Sequence, residues 1–305
     1  MNGRAGKWVS VEVPASSANL GAGYDVLALA LELTLRVRTT PTPGGGTQLV
    51  AAGEGADRLR TGGDGRFVPA LRRGLAELGA VADGGWRIEV DNAIPLGRGL
   101  GSSAAATVAG LLTAEALTGN VLGDERRLTL ATDLEGHPDN AAAALHGGFV
   151  VVAAGHVVRY DPPAGVEAVL FVPELELSTA AMRHVLPATV DHADAVSNVG
   201  RAALVVSAFA TGNLALLGGM AGDRLHEPYR SAVYGQFPAL IRAALAAGAL
   251  GAALSGAGSS VIALALPPDA AAVATALADA AEAGRLAGST RTVALRSAGG
   301  RVVEE

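Results

Sequence analysis

Pro95-Leu96-Gly97-Arg98-Gly99-Leu100-Gly101-Ser102-Ser103-Ala104 is the stretch on which the reading of this chain turns. Glycines in alternate positions open backbone conformations closed to other residues and let the chain approach a ligand closely. Ser102 and Ser103 then start an Ala-rich run, through Ala105, that reads as a helix to about Leu117. The free N–H groups and the dipole at such a helix start attract an anion such as a triphosphate. An ordinary strand-to-helix turn before a packed helix would show the same glycines. No Lys follows them, so the Walker pattern is not met. The single lysine of the chain is Lys7. A phosphate bound here would be held by backbone amides, hydroxyls, arginine and a metal. Arg98 reads either as a cation beside the phosphates or as a solvated charge.

The flanks carry mixed signals of strand and helix. Trp86, Ile88 and Val90 mark a strand leading into the loop. After the Ala-rich helix, a second helix over about Asp124–Leu134 ends at Glu135-Gly136-His137-Pro138-Asp139-Asn140. Gly136 and Pro138 break it there. A helix resumes over Ala141–Leu145, and Gly148–Ala153 reads as a strand. Towards the N-terminus, Val9, Val11 and Val13 alternate. Leu29, Leu31, Leu33, Leu35 and Val37 alternate with Glu32, Thr34, Arg36 and Arg38, the cleanest half-buried strand in the chain. A turn at Pro41–Gly46 precedes an edge strand near Gln48–Ala51. Phe67, Val68, Leu71, Leu75 and Leu78 have helical spacing. The second half predicts strands at Val169–Val172, Val261–Leu266 and Thr290–Leu295, and helices at Val196–Thr211, around Phe237–Leu245 and at Asp269–Gly284. Gly251–Gly258 is a glycine turn after a short strand. We place a division near Gly155, giving units 1–155 and 156–305.

With 305 residues, half of them hydrophobic, the chain can bury one large core or two ordinary ones. A formal charge of −6 argues against a general nucleic-acid binder. The absence of cysteine excludes disulfides, thiolate metal sites and a cysteine nucleophile. No apolar run reaches the ~20 residues of a spanning helix. No apolar core follows Met1–Lys7, so no signal peptide is expected. A cytoplasmic protein without membrane or nucleic-acid partners is the expectation.

Several segments together resemble the GHMP kinases, the family that includes galactokinases, homoserine kinases and mevalonate kinases. Pro95–Ala104 is similar to that family's ATP loop, and Leu254-Ser-Gly-Ala-Gly258 to its C-terminal glycine motif. Val13-Pro-Ala-Ser-Ser-Ala-Asn-Leu-Gly-Ala-Gly-Tyr-Asp25 resembles the opening of the homoserine kinase branch. So do Glu135–Asn140, Ser178–Arg183 and His226–Arg230. Tyr24 stands where that branch usually has Phe, Ala22 where it has Pro, and Ser259-Ser260 where it often has Pro-Thr. The resemblance implies an α+β, two-domain fold, with an N-terminal ATP-loop domain and a ferredoxin-like C-terminal domain. It implies ATP-dependent phosphorylation of the side-chain hydroxyl of L-homoserine, a step towards threonine. The family's habit is a homodimer.

Mg²⁺ prefers oxygen and needs only one or two protein oxygens beside phosphates. Ser103 and Glu135 offer a hydroxyl and a carboxylate, and the resemblance implies the same pair. A carboxylate at a helix C-terminus is unfavourable, which hints at a partner cation for Glu135. The resemblance implies that His137 lines the substrate pocket. L-Homoserine carries a carboxylate, an ammonium and a hydroxyl. Guanidinium groups hold a carboxylate best, and the resemblance implies that role for Arg183 and Arg230. Asp25 and Asn19 suit the ammonium, and Thr179 could add a hydroxyl. The turn at Gly256 and Gly258 either merely reverses the chain or approaches the active centre closely, and the resemblance favours the second. Some relatives place an Asp base where this chain has Asn140. In-line transfer without a strong base is therefore expected, because positioning and charge stabilisation dominate phosphoryl transfer.

Overall fold

The computed structural model describes residues 8–43, 46–61, 65–80 and 84–304. Lys7, the rest of Met1–Lys7, and Gly44 and Gly45 of the expected Pro41–Gly46 turn lie outside the described residues. The chain opens with an antiparallel hairpin, β1 (Val9–Asn19) and β2 (Gly23–Thr42). Pro14, with no N–H to give, sits where the register slips: it faces Thr34, while Ala15 faces Leu31. Next come β3 (Gln48–Gly53), α1 (Ala56–Arg60), α2 (Phe67–Glu77), β4 (Gly85–Asn92), α3 (Ser102–Thr118), α4 (Asp124–Glu135), α5 (Asp139–His146), β5 (Phe149–Ala153) and β6 (His156–Tyr160). Long β2 is the hinge of this layer. Its C-terminal half pairs with β4, and its Leu27–Leu29 stretch pairs with β5.

α3 is the buried axis of the first layer. Its apolar residues are covered on nearly every side, so it shows no one-sided stripe. Small residues let its neighbour come close. A Cβ on Gly110 would stand 2.5 Å from the Phe67 carbonyl, and one on Gly74 would stand 2.8 Å from Ala114 Cβ.

The second layer runs β7 (Glu167–Pro173), α6 (Thr179–His184), α7 (His192–Thr211), a 3-10 helix over Leu214–Met220, α8 (Glu227–Arg230), α9 (Phe237–Ala246), β8 (Gly251–Leu254), β9 (Val261–Ala265), α10 (Pro267–Ala283) and β10 (Gly288–Ala294). The strands order β10-β7-β9-β8, all antiparallel. This is the ferredoxin-like order. Phe171, Phe237, Leu240, Val273 and Leu277 form a core under α9 and α10. Leu170, Ile262 and Leu264, on the other face, join the main core shared with the first layer. β11 (Arg301–Val303) then returns to pair with β1 in the first sheet.

The expected α+β class and two-layer plan hold. Two strands, β6 and β11, had no sequence signal. β1 and β2 also run further than alternation indicates. From Val11 to Asn19 and from Leu27 to Leu31 both faces are buried, which erases the two-residue period. Ala154 and Gly155 make the turn between β5 and β6, both first-sheet strands. The division placed near Gly155 therefore falls inside a hairpin, and the second sheet begins at Glu167.

Candidate active site

A cleft of about 190 Å³ lies between the layers, and the glycine loop forms its floor. Gly97, Gly99 and Gly101 all take positive φ, at 65°, 72° and 70°. Their first duty is to the protein itself. A Cβ on Gly99 would stand 2.1 Å from the Ser255 carbonyl oxygen, and one on Gly101 would stand 2.1 Å from Ser16 Oγ. No side chain caps α3, whose Ncap is Gly101. Its first-turn N–H groups are thus left to a ligand. Ser102, Ser103 and Ala104 line the cleft beside them.

Arg98 lines the cleft and is not the solvated charge of the second reading. Its Nε donates to the Pro173 carbonyl at 2.6 Å and its Nη2 to the Glu174 carbonyl at 2.8 Å. An ion pair with Glu176 completes the set. It clamps the loop to the end of β7. The corresponding ion pair lowers the pKa of Glu176, with the Arg98 hydrogen bond as the main cause.

Glu135 ends α4, where Gly136 in the left-handed region stops the helix. Its Oε1 accepts from Thr107 Oγ1 at 2.6 Å, and Arg66 Nε lies 3.8 Å away. Ser16 Oγ donates to Asn140 Oδ1 at 2.8 Å. Asp139 is buried; its Oδ1 accepts from the Asn140 N–H and meets His137 Nδ1, each at 2.7 Å. That contact with Asp139 is the main cause holding His137 above the usual imidazole range.

On the opposite wall, the β1–β2 turn places Asn19 and Asp25, with φ of 70° and 56°. Asn19 Nδ2 donates to the Gly256 carbonyl at 2.8 Å, and its Oδ1 accepts from the Asp25 N–H at 3.1 Å. Arg183, from α6, grips both Asp25 oxygens and also donates from Nη1 to Tyr24 Oη at 2.9 Å. Arg230 is 1% exposed. It donates to the Met182 and Gly256 carbonyls and to His226 Nδ1 at 3.0 Å. Because arginine only donates, Nδ1 must accept, so Nε2 carries the proton it gives to the Gly21 carbonyl at 2.8 Å. Burial pushes His226 down to about 4, consistent with that neutral form. Both guanidinium carbons lie close to the Tyr24 ring, 5.5 Å from its centroid for Arg183 and 5.4 Å for Arg230.

Most of the residues singled out in the sequence meet in this cleft: Asn19, Asp25, Pro95, Gly97 to Ala104, Glu135, His137, Asn140, Thr179, Arg183, Arg230, Gly256 and Gly258. Two of the loop residues do not. Ala105 is buried in the core, and Leu96 faces a neighbouring cavity against Gly55. Thr107, Asp139, Ser16, Arg66 and Tyr24 were not assigned site roles from the sequence. Asp139 stood within a quoted motif. Thr107 lies one helical turn beyond Ser103, a spacing that could have drawn notice.

An anion seat, two hard oxygen donors and a charged recess in one small cleft are the equipment of a small-molecule kinase. The two layers match known sequence profiles in order: GHMP kinases N terminal domain over residues 66–148 and GHMP kinases C terminal over residues 205–283. The chain belongs to the GHMP kinase family. Similar relatives within that family include homoserine kinases. That of Synechococcus sp. is 39% identical over 97% of this chain and 96% of its own. That of Moorella thermoacetica is 41% identical over 83% and 86%. The crystal structure of homoserine kinase from Cytophaga hutchinsonii superposes with a TM-score of 0.86 at 30% identity, covering 99% of this chain and all of that one.

Proposed function

We propose that this protein transfers the γ-phosphate of ATP to the side-chain hydroxyl of L-homoserine, giving ADP and O-phospho-L-homoserine. One observation carries the reading. The uncapped start of α3 shares its cleft with Asp25, Arg183 and Arg230, a charge set fitted to an amino-acid zwitterion. A mevalonate-like hydroxy acid would use the arginines and leave Asp25 without a partner. The substrate carboxylate goes to Arg183 and Arg230, and its ammonium to Asp25. Asn19 supports this wall through Asp25 and Gly256, Thr179 stands at the rim, and His137 faces the recess.

The ATP phosphates take the free N–H groups of α3 and the loop, with Ser102 and Ser103 beside them. Leu96 and Arg98 also border the adjoining cavity, which is large enough for the nucleoside. The donor set suits Mg²⁺. Among the described residues no three His, Asp or Glu side chains gather to hold a metal. One hydroxyl from Ser103 and one carboxylate from Glu135 are what an ion held mainly by phosphate and water requires. Bound there, Mg²⁺ supplies charge neutralisation to the phosphates.

The chain's own residues position rather than abstract. Asn140 Oδ1 already accepts from Ser16, and an amide is not a proton acceptor of useful strength. Asp139 is engaged by His137 and the Asn140 N–H. The homoserine hydroxyl is therefore held in line with the γ-phosphate, and its proton leaves late, to phosphate oxygen. No helix among the described residues is long and apolar enough to cross a membrane. We place the enzyme in the cytoplasm, with its ATP supply, as a homodimer that sedimentation would test.

The test of function is ADP release with Mg-ATP and a panel of L-homoserine, D-homoserine, L-serine, L-threonine and mevalonate. Selective turnover of L-homoserine, with phosphate on its side-chain oxygen, is the expected result. Turnover of another alcohol alone would sink the substrate assignment and leave the kinase.

A further inference from the structure

Asp25 and Arg183 hold each other across the mouth of the cleft. Nη2 lies 2.6 Å from Oδ1 and Nη1 lies 2.9 Å from Oδ2, a two-point grip. The partners come from different layers, Asp25 from β2 and Arg183 from α6. Their side chains are 32% and 34% exposed, so a ligand can reach the pair. Both ends are fixed. The Asp25 backbone is held at φ 56° with its N–H on Asn19, and Arg183 is tied to Tyr24 Oη.

We propose that this ion pair is a latch that selects for zwitterions; the inference rests on the homoserine reading above. The two groups assigned to the substrate's ammonium and carboxylate neutralise each other in the free protein. A ligand carrying both charges replaces both halves at once. Its carboxylate takes Arg183 while its ammonium takes Asp25. A ligand with a carboxylate alone must break the grip and leave Asp25 without a cation. One with an amine alone strands Arg183 instead. Asp25 thus does two things: it contacts an ammonium, and it acts against any ligand that lacks one.

The two roles separate in one experiment. 4-Hydroxybutyrate is homoserine without its amino group. Its binding, and that of L-homoserine, is measured by calorimetry on enzyme loaded with a non-hydrolysable Mg-ATP analogue. Wild type is compared with Asp25→Asn, a side chain that tolerates positive φ. The latch requires L-homoserine to bind the variant more weakly. It also requires 4-hydroxybutyrate to bind it about two- to fivefold more tightly, the size expected of a partly exposed ion pair. Unchanged or weaker binding of 4-hydroxybutyrate, with nucleotide affinity intact, overturns the latch and leaves Asp25 as a simple ammonium contact. If Asp25→Asn does not fold, Asp25→Gly accepts the same φ and carries the same expectation. Failure of the wild type to bind L-homoserine overturns the substrate reading itself, and the latch with it.

Discussion

Thr107 Oγ1 donates a 2.6 Å hydrogen bond to Glu135 Oε1, so the second turn of α3 aims the carboxylate that ends α4. The same helix presents the anion seat at its start. Seat and carboxylate are therefore set by one rigid element.

Thr107→Val keeps the shape of the side chain and removes the donor. Hydrogen bonds to charged groups contribute about 1.5–3 kcal/mol net, so turnover should fall about tenfold or more. The Mg²⁺ concentration for half-maximal rate should rise, with the KM for L-homoserine little changed. Thr107→Ser should restore most of the activity. A Thr107→Val enzyme with normal Mg²⁺ dependence would show that Glu135 needs no such support.

Tyr24→Phe retains the ring beside Arg183 and Arg230 and removes the hydroxyl that accepts from Arg183. The arginine is about one-third exposed, so the loss should be modest. The KM for L-homoserine should rise about two- to fivefold at constant kcat. Tyr24→Leu, which also removes the ring, should cost more. Equal effects in the two variants would assign the whole role to the hydroxyl.

Gly99→Ala should destabilise the fold as well as weaken nucleotide binding. Its Cβ would meet the Ser255 carbonyl at 2.1 Å, and its φ of +72° is already unfavourable to alanine. Gly212→Ala is the control, with φ +74° in the left-handed region and open space around it. The control should lose about 1–2 kcal/mol, the intrinsic cost of that backbone region. Gly99→Ala should lose about 3 kcal/mol or more. Matching urea midpoints would mean that the loop moves away from the Ser255 turn at little cost.

Glu227 is buried, and that burial raises its carboxyl to about 8 from the ordinary 4.5. Between those values the folded state holds a proton that the unfolded chain has released. Stability from this group is complete below the unfolded value and is lost as pH rises through the folded one. His226 acts in the opposite direction. Its folded value of about 4 lies below the ordinary 6.5, so its contribution is present above the unfolded value and is lost as pH falls through the folded one. Glu227→Gln keeps an oxygen for the Leu254 N–H and cannot titrate. Its urea midpoint should exceed that of the wild type at about pH 8, with the decline between about pH 6 and 8 removed. An unaltered decline would place the titration elsewhere.

The glycine loop, the helix behind it and the break at Gly136–Pro138 were legible because each rests on local chain chemistry. The turn carrying Asn19 and Asp25 was legible for the same reason. What joins them was not. Arg183 and Asp25 are separated by 158 residues, and nothing in either segment announces a mutual grip. Arg98 carried two readings from sequence, neither of which announced its contacts to Glu176 and to the carbonyls at the end of a distant strand. Arg230 was read only for its place opposite a substrate carboxylate, and nothing in the sequence showed that it holds the Met182 and Gly256 carbonyls and His226. β11 escaped notice because three exposed residues show no burial pattern; pairing with β1 defines that strand.

That last strand has a practical consequence. Val303 lies opposite Ser10 in the antiparallel pair of β11 with β1. The described ends of the chain are thus neighbours on one sheet, and the ferredoxin-like layer is topologically an insertion between β6 and β11. Cutting the gene between the layers would strip the first sheet of an edge strand and of the Arg296 and Arg301 contacts to Glu12. Joining the old ends by a short linker and opening the chain at the exposed Ala154-Gly155 turn would leave every sheet whole. Circular permutation, rather than dissection, is the rearrangement this architecture accommodates.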